Sequence, residues 1–233
     1  MEKVICALWK PDGVTRAAFN ARLQDSLPAQ LQAAGARQIR LNLEDDLTDR
    51  AADLRQARGA PQHQATLQYW LPSANGLFRH AIDAVLDAHV DRWAGWLVAE
   101  STILPNVDHP PVPGTRCWGW AQMAFLTRPD GQDPAEWLSI WKDSHTKVAI
   151  ETQANFEYVQ NLVVNPLTPD APPYVAIVEE CFPEAALSDP FAFFDAVGDK
   201  AKFADNLARM MDSCDRFITR GTIDVIPTSQ YNY

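Results

Sequence analysis

The chain has 233 residues, which fits one large domain or two small ones at roughly 150 residues per domain. Its 47% apolar and 21% charged residues are those of a folded globular chain and exclude disorder. Twenty basic against thirty acidic side chains leave a net charge of −10, so nucleic acid and anionic membrane surfaces are not expected partners. No apolar run approaches the ~18 residues that a membrane span requires.

The N-terminal segment, Lys3 to Trp9, reads as a first strand rather than a signal peptide. It ends at the turn Pro11-Asp12-Gly13, and Thr15 then caps a helix running to about Ala34, before Gly35. Ile39, Leu41 and Leu43 alternate with polar residues in a second strand. The charged segment Glu44 to Gln62 reads as a loop with a short helix, and Asp45-Asp46 beside Glu44 as its solvated edge. A third strand covers Ala65 to Leu71. Phe78, Ile82, Val85, Leu86, His89 and Trp93 mark one face of a second helix, and Gly95 to Ile103 a closing strand. The proline-rich segment Pro105 to Thr115 reads as a stiff linker.

The same order then returns. Trp9 to Pro28 aligns with Thr127 to Thr146 at a constant offset of 118 residues, placing Pro11-Asp12-Gly13 on Pro129-Asp130-Gly131, Phe19 on Trp137 and Leu23 on Trp141. The second copy predicts a strand from Trp120 to Thr127 and a helix capped by Asp133 and running to about Ala149. It continues with strands around Phe156 to Val164 and Tyr174 to Phe182, a helix through Phe203 to Phe217, and a strand from Gly221 to Ile226. The expected fold class is therefore α+β: two tandem ferredoxin-like βαββαβ units, residues 1–105 and 119–233, joined by a linker at 106–118. The strands are apolar on both sides, with Ile5, Ala7 and Trp9 on one face and Val4, Cys6 and Leu8 on the other. A sheet of that kind needs cover on both faces. The helices cover one, and packing sheet to sheet against the sister unit, as a barrel-like pseudo-dimer within one chain, covers the other. RNA-recognition domains share the βαββαβ order, but their aromatic strand motif is absent and the chain is acidic.

Cys6, Cys117, Cys181 and Cys214 are widely spaced, which suggests reduced thiols in a cytoplasmic protein rather than zinc ligands or disulfides. No phosphate loop, His-x-x-x-His pair or nucleophile elbow occurs. One residue breaks the repeat: His145, on a helix face with Trp137 and Trp141, stands where the first copy has Leu27. The fold accepts leucine there, so packing alone does not demand an imidazole. A side chain titrating near neutrality against tryptophan walls suits proton transfer on a flat apolar ligand. A buried histidine satisfied by a carbonyl or carboxylate is the alternative. His89 reads as core, His63 and His80 as exposed, and His109 as solvated in the linker.

The stretch from Phe125 through Arg128-Pro-Asp-Gly131 to Trp137-x-x-x-Trp141-x-x-x-His145 resembles the signature of the EthD domain, and Asp199-x-x-x-Phe203-x-Asp205 resembles its late segment. The resemblance is stronger over residues 119 to 226 than over 1 to 105. It implies the dimeric α/β-barrel superfamily, which holds cofactor-free monooxygenases, isomerases, decarboxylases, dehydratases and haem enzymes. The expected activity is cofactor-free acid–base chemistry of the isomerase, lyase or cyclase type on a small apolar, aromatic or polyketide-like compound. His145 would be catalytic, with Trp141, Phe125 and Tyr158 lining the substrate pocket. The competing readings are a non-catalytic module that binds an apolar ligand, a cofactor-free monooxygenase, and haem binding through His145. No metal or cofactor is expected, and the chain is expected to work as a monomer or homodimer.

Overall fold

The computed structural model describes residues 1–233. Strands β1 (Glu2–Trp9), β2 (Arg37–Leu43), β3 (Ala65–Leu71) and β4 (Arg92–Leu104) come from the first half. Strands β5 (Trp120–Leu126), β6 (Glu157–Pro166), β7 (Ala176–Phe182) and β8 (Asp224–Asn232) come from the second. They form one closed antiparallel barrel of eight strands in the order β1-β3-β2-β8-β5-β7-β6-β4. Each half contributes four neighbouring strands, and the halves meet where β2 pairs with β8 and β4 with β6. Closure leaves no free sheet edge, which removes the unpaired N–H and C=O groups that invite aggregation.

Alternation decides what each strand shows to either side. In β1, Val4, Cys6 and Leu8 pack under the first-half helices with Phe19, Leu23, Leu27 and Leu86. Ile5, Ala7 and Trp9 face the barrel interior with Trp96, Met123, Phe125 and Tyr174. The rest of the interior is polar. There Glu179 accepts from Asn42, Gln68 and Gln230 at 2.7 to 2.9 Å and pairs with Arg40 at 2.6 Å. Burial works to raise the Glu179 carboxyl, but the Arg40 guanidinium and these amide donors outweigh it and hold it well below the usual range.

The helices lie outside the barrel: α1 (Arg16–Asp25), α2 (Leu27–Ala33) and α3 (Gly76–His89) over the first half; α4 (Pro134–Ser139), α5 (Thr146–Thr152), α6 (Pro190–Phe193) and α7 (Lys200–Asp215) over the second. Both Pro-Asp-Gly turns end on a glycine in the left-handed region, φ +75° at Gly13 and +78° at Gly131, where a side chain would be strained. Two long helices expected from the sequence are each interrupted. Ser26 leaves helical geometry (φ −130°) ahead of Pro28, which cannot donate to the ladder. The second is broken by a π-helical stretch, Ile140–His145, between α4 and α5. The segment Glu44 to Gln62 contains a 3₁₀ stretch, Thr48–Leu54, that lies along β8.

Candidate active site

The mainly apolar cavity between the second-half strands and their helices has a volume of about 290 Å³. Its sheet wall is built by alternation: Gln122, Ala124 and Leu126 of β5, Tyr158 of β6, Val178 and Glu180 of β7, and Val225 of β8 all face it. Trp141 and His145 enter from the π-helical stretch, and Met210, Met211 and Cys214 from α7. A π-turn widens the helix by one residue and commonly marks functional positions. The rim includes Asp53, Leu54 and Gln56 of the first half, and Gln56 pairs with Val225 across a two-way backbone bridge.

Glu180 is the one acid on the sheet wall. It is 7% exposed and faces no cation; Asn155 Nδ2 donates to Oε1 at 3.1 Å and Gln122 Nε2 lies 3.4 Å from Oε2. Burial raises its carboxyl to about 7, and the two amide donors only moderate the shift. A carboxyl with that pKa can both take and return a proton at neutral pH.

His145 is shifted the other way. Burial, and then the nearby Arg216 charge, lower its pKa to about 4, so the ring is neutral at pH 7. Its Nδ1 lies 3.0 Å from Ser213 Oγ, and Arg216 donates to that same oxygen at 3.3 Å. Ser213 is 1% exposed, and its hydroxyl hydrogen has no acceptor other than Nδ1. A buried donor left unmade costs ~1–3 kcal/mol, so the serine donates to Nδ1 and the imidazole carries its hydrogen on Nε2. That N–H has no protein acceptor, nor has the indole N–H of Trp141. In this tautomer the neutral His145 ring offers a hydrogen-bond donor to the cavity.

The corresponding place in the first half has none of this chemistry. Val4 pairs with Tyr69 in β1–β3, and Gln122 pairs with Glu180 in β5–β7. Since 122 − 4 is again 118, Tyr69 stands where Glu180 stands, and Val4 where Gln122 stands. Val4, Tyr69 and Leu27 are all sealed in one apolar core. In the second half an amide, a carboxyl and an imidazole take these three places and face the mainly apolar cavity.

The structure brings His145, Trp141 and Tyr158 together around this cavity but places Phe125 elsewhere. Phe125 is offset by one residue from Ala124 and Leu126, so its ring points into the barrel, 4.6 Å from His63 and 5.2 Å from Tyr174. His63, expected to be exposed, is 2% exposed within this aromatic group. His80 is exposed, His89 is buried against Ser26 Oγ and the Val85 carbonyl, and His109 stacks on Trp118 at 3.7 Å. Sequence reasoning missed Glu180, Gln122, Asn155, Ser213 and Arg216. Only Glu180 carried a signal, an acid in the otherwise apolar run Ala176-Ile-Val-Glu-Glu-Cys-Phe182.

A closed antiparallel barrel with a helix-covered, ionisable pocket defines the class, and comparison with known proteins narrows it. Residues 129–218 match the EthD domain family model, a stretch of less than half the chain. It holds His145, Trp141, Tyr158, Glu180 and Ser213, whereas Gln122, Leu54 and Gln56 lie outside it. No curated protein sequence matches the chain. The crystal structure of an anthrone oxidase-like protein superposes with a TM-score of 0.57 at 10% identity, covering 99% of this chain and 93% of that one. A candidate monooxygenase from Lactobacillus acidophilus NCFM gives 0.47 at 10% identity, over 98% of this chain and 93% of that one. At such identity the first shares the fold alone.

Proposed function

We propose that this protein is an enzyme that moves a proton on a small apolar, aromatic or polyketide-like carbonyl or phenolic compound held in the second-half cavity. Glu180 is the base and then the acid, and His145 the oxygen-binding donor. The reading rests on one observation: a buried carboxyl with two amide donors and no cationic partner lines the same mainly apolar cavity as the His145 ring, and burial raises it to about 7.

In the reaction class this supports, Glu180 takes a proton from a carbon next to a carbonyl. The electron pair of the broken C–H bond moves onto the carbonyl oxygen, which accepts the Nε2–H of His145. A neutral donor suits this role, because a developing enolate gains more from a fixed hydrogen bond in an apolar site than in water. Returning the proton to a different carbon completes an isomerisation. Expelling a neighbouring leaving group completes an elimination, and attack of the new carbanion on a second carbonyl completes a cyclisation. Trp141 and Tyr158 wall the pocket and hold the compound flat. Proton transfer by a placed group contributes roughly 10²–10⁴-fold.

In this proposal the site belongs to the second of two duplicated ferredoxin-like units, 1–105 and 119–233, joined by 106–118, and the first unit acts as a structural partner. All four cysteines are free, which suits a cytoplasmic setting. The decisive experiment follows hydrogen–deuterium exchange by NMR at activated carbons of cyclic ketones and phenols in D₂O. Wild type accelerates exchange in at least one of them and Glu180→Gln does not; equal exchange by both proteins overturns the assignment. A cofactor-free oxygenase would begin with the same deprotonation and then consume oxygen, which an oxygen electrode separates from non-redox turnover. A binding module would hold the compound without exchanging its hydrogens.

A further inference from the structure

A second cavity, of about 160 Å³, opens at the mouth of the barrel on the side where the interior is aromatic. Its floor is the group of rings formed by Trp9, His63 and Tyr174, and Arg58 and Arg92 stand at its rim. It shares no lining residue with the Glu180 cavity.

The charges here are arranged unusually for so acidic a chain. Neither Arg58 nor Arg92 forms an ion pair, and the Arg92 guanidinium is instead held 4.0 Å over the Trp9 ring. Stacking of this kind fixes the plane of an arginine while leaving its N–H fork free for an anion. The only acid in the cavity, Asp224, is already engaged by three donors. Its Oδ1 accepts from Gln62 Nε2 at 2.7 Å and from the Arg58 backbone N–H at 3.1 Å, and its Oδ2 accepts from the Tyr174 hydroxyl. Two arginines against one carboxylate leave the cavity with a net positive charge.

His63 supplies the observation that points to a ligand. It is 2% exposed, and its Nε2 lies 3.3 Å from Thr66 Oγ1, the only partner of that buried hydroxyl. Thr66 therefore donates to Nε2, which places the ring hydrogen on Nδ1, and Nδ1 has no protein acceptor. The Nδ1–H of this buried ring, beside two exposed guanidinium groups that form no ion pair, makes a set of donors lacking a protein acceptor.

We propose that this cavity is a binding site for a small oxyanion, phosphate or a short carboxylate, held by Arg58, Arg92 and the Nδ1–H of His63. Arginine forks match both anions, and the volume admits an anion of a few heavy atoms but not a second copy of an aromatic substrate. The site is independent of the proton-transfer reading, since neither uses the other's residues.

Isothermal titration calorimetry with inorganic phosphate and, separately, acetate, at ionic strength fixed with sodium chloride, tests the proposal. Wild type gives saturable binding of at least one anion. Arg58→Gln and Arg92→Gln each weaken it tenfold or more, and Arg22→Gln, which changes a guanidinium donating to the Ala88 carbonyl far from the cavity, leaves it unchanged. Because His63→Gln would disturb the aromatic floor, the ring is followed instead in wild type by ¹H–¹⁵N NMR, where the Nδ1–H signal moves with the same midpoint. Saturation by phosphate alone, acetate alone or both tells which oxyanion geometry the site prefers. Unsaturable heats with both anions, affinities indifferent to both rim substitutions, or a static His63 signal overturn it.

Discussion

Tyr158 and Glu180 stand directly opposite one another across the β6–β7 ladder, so a phenol and a carboxyl share one wall of the cavity. Burial raises both, and the charge of Glu180 raises Tyr158 further. Tyr158 therefore stays neutral across the physiological range while Glu180 titrates within it.

The Glu180 shift has consequences for activity and for stability. In the proposed role of base Glu180 must be ionised, so kcat/KM is expected to rise with pH through a limb near 7, and Glu180→Gln to remove the limb with ~10²–10⁴ of the rate. For stability, the folded state binds this proton more tightly than the unfolded chain, whose carboxyl titrates at the ordinary 4.5. The contribution is full below pH 4.5 and is lost as pH rises through about 7, on the order of 3 kcal/mol across that window. Urea denaturation of wild type and Glu180→Gln at pH 5 and pH 8 shows the difference between them changing by that amount in favour of the variant at high pH.

His145 behaves in the opposite sense. Its folded pKa of about 4 lies below the ordinary 6.5, so stability is complete above pH 6.5 and declines as pH falls through 4, where the unfolded chain is already protonated. His145→Gln flattens this acid decline in the same urea series. No activity limb between pH 5 and 9 belongs to this ring, and a profile in His145→Gln that loses the limb near 7 would contradict the assignment.

In the proposed reaction Ser213 acts only through His145, whose Nδ1 it contacts at 3.0 Å. Ser213→Ala frees the ring to adopt the other tautomer, with an expected loss of about 1 kcal/mol of stability. Selectively ¹⁵N-labelled histidine reports the tautomer: Nε2–H in wild type and a mixture in the variant. Turnover falls with the Nε2–H population while KM for an apolar substrate changes little.

Phe125 makes no contribution to the cavity wall, because it faces the barrel. Phe125→Ala costs roughly 3–5 kcal/mol of stability through the void left beside Trp96, His63 and Tyr174. Ligand affinity in the second-half pocket stays within a few fold, as measured by fluorescence titration below the variant's melting temperature.

At the polar end of the barrel, Arg40 bridges Glu157 at 3.0 Å and Glu179 at 2.6 Å. Arg40→Met strands both carboxylates in the interior and costs ~3–5 kcal/mol at pH 7. The same substitution made with Glu179→Gln recovers part of that loss, a coupling that a double-mutant cycle in urea measures.

Local chemistry was open to reading along the chain because it depends on near neighbours. Turns at Gly13 and Gly131, the alternation of β1 and the two-sided burial of the strands follow from residue types at fixed spacing, and so does the contrast between His145 and Leu27. The break at Ser26 and the π-stretch before His145 did not show, since each depends on a helix fitting the sheet beneath it. Whether Phe125 or its neighbours Ala124 and Leu126 faced the pocket required knowing which side of β5 the helices cover, and a shift of one residue reverses the answer. The role of Glu180 was decided entirely in three dimensions. Its pKa comes from burial without a cation, from Gln122 58 residues away and from Asn155 25 residues away. A chain read in order shows only two adjacent glutamates. The barrel sends Glu179 inward to Arg40 and Glu180 outward into an apolar cavity, and so makes one a structural ion and the other a titrating acid.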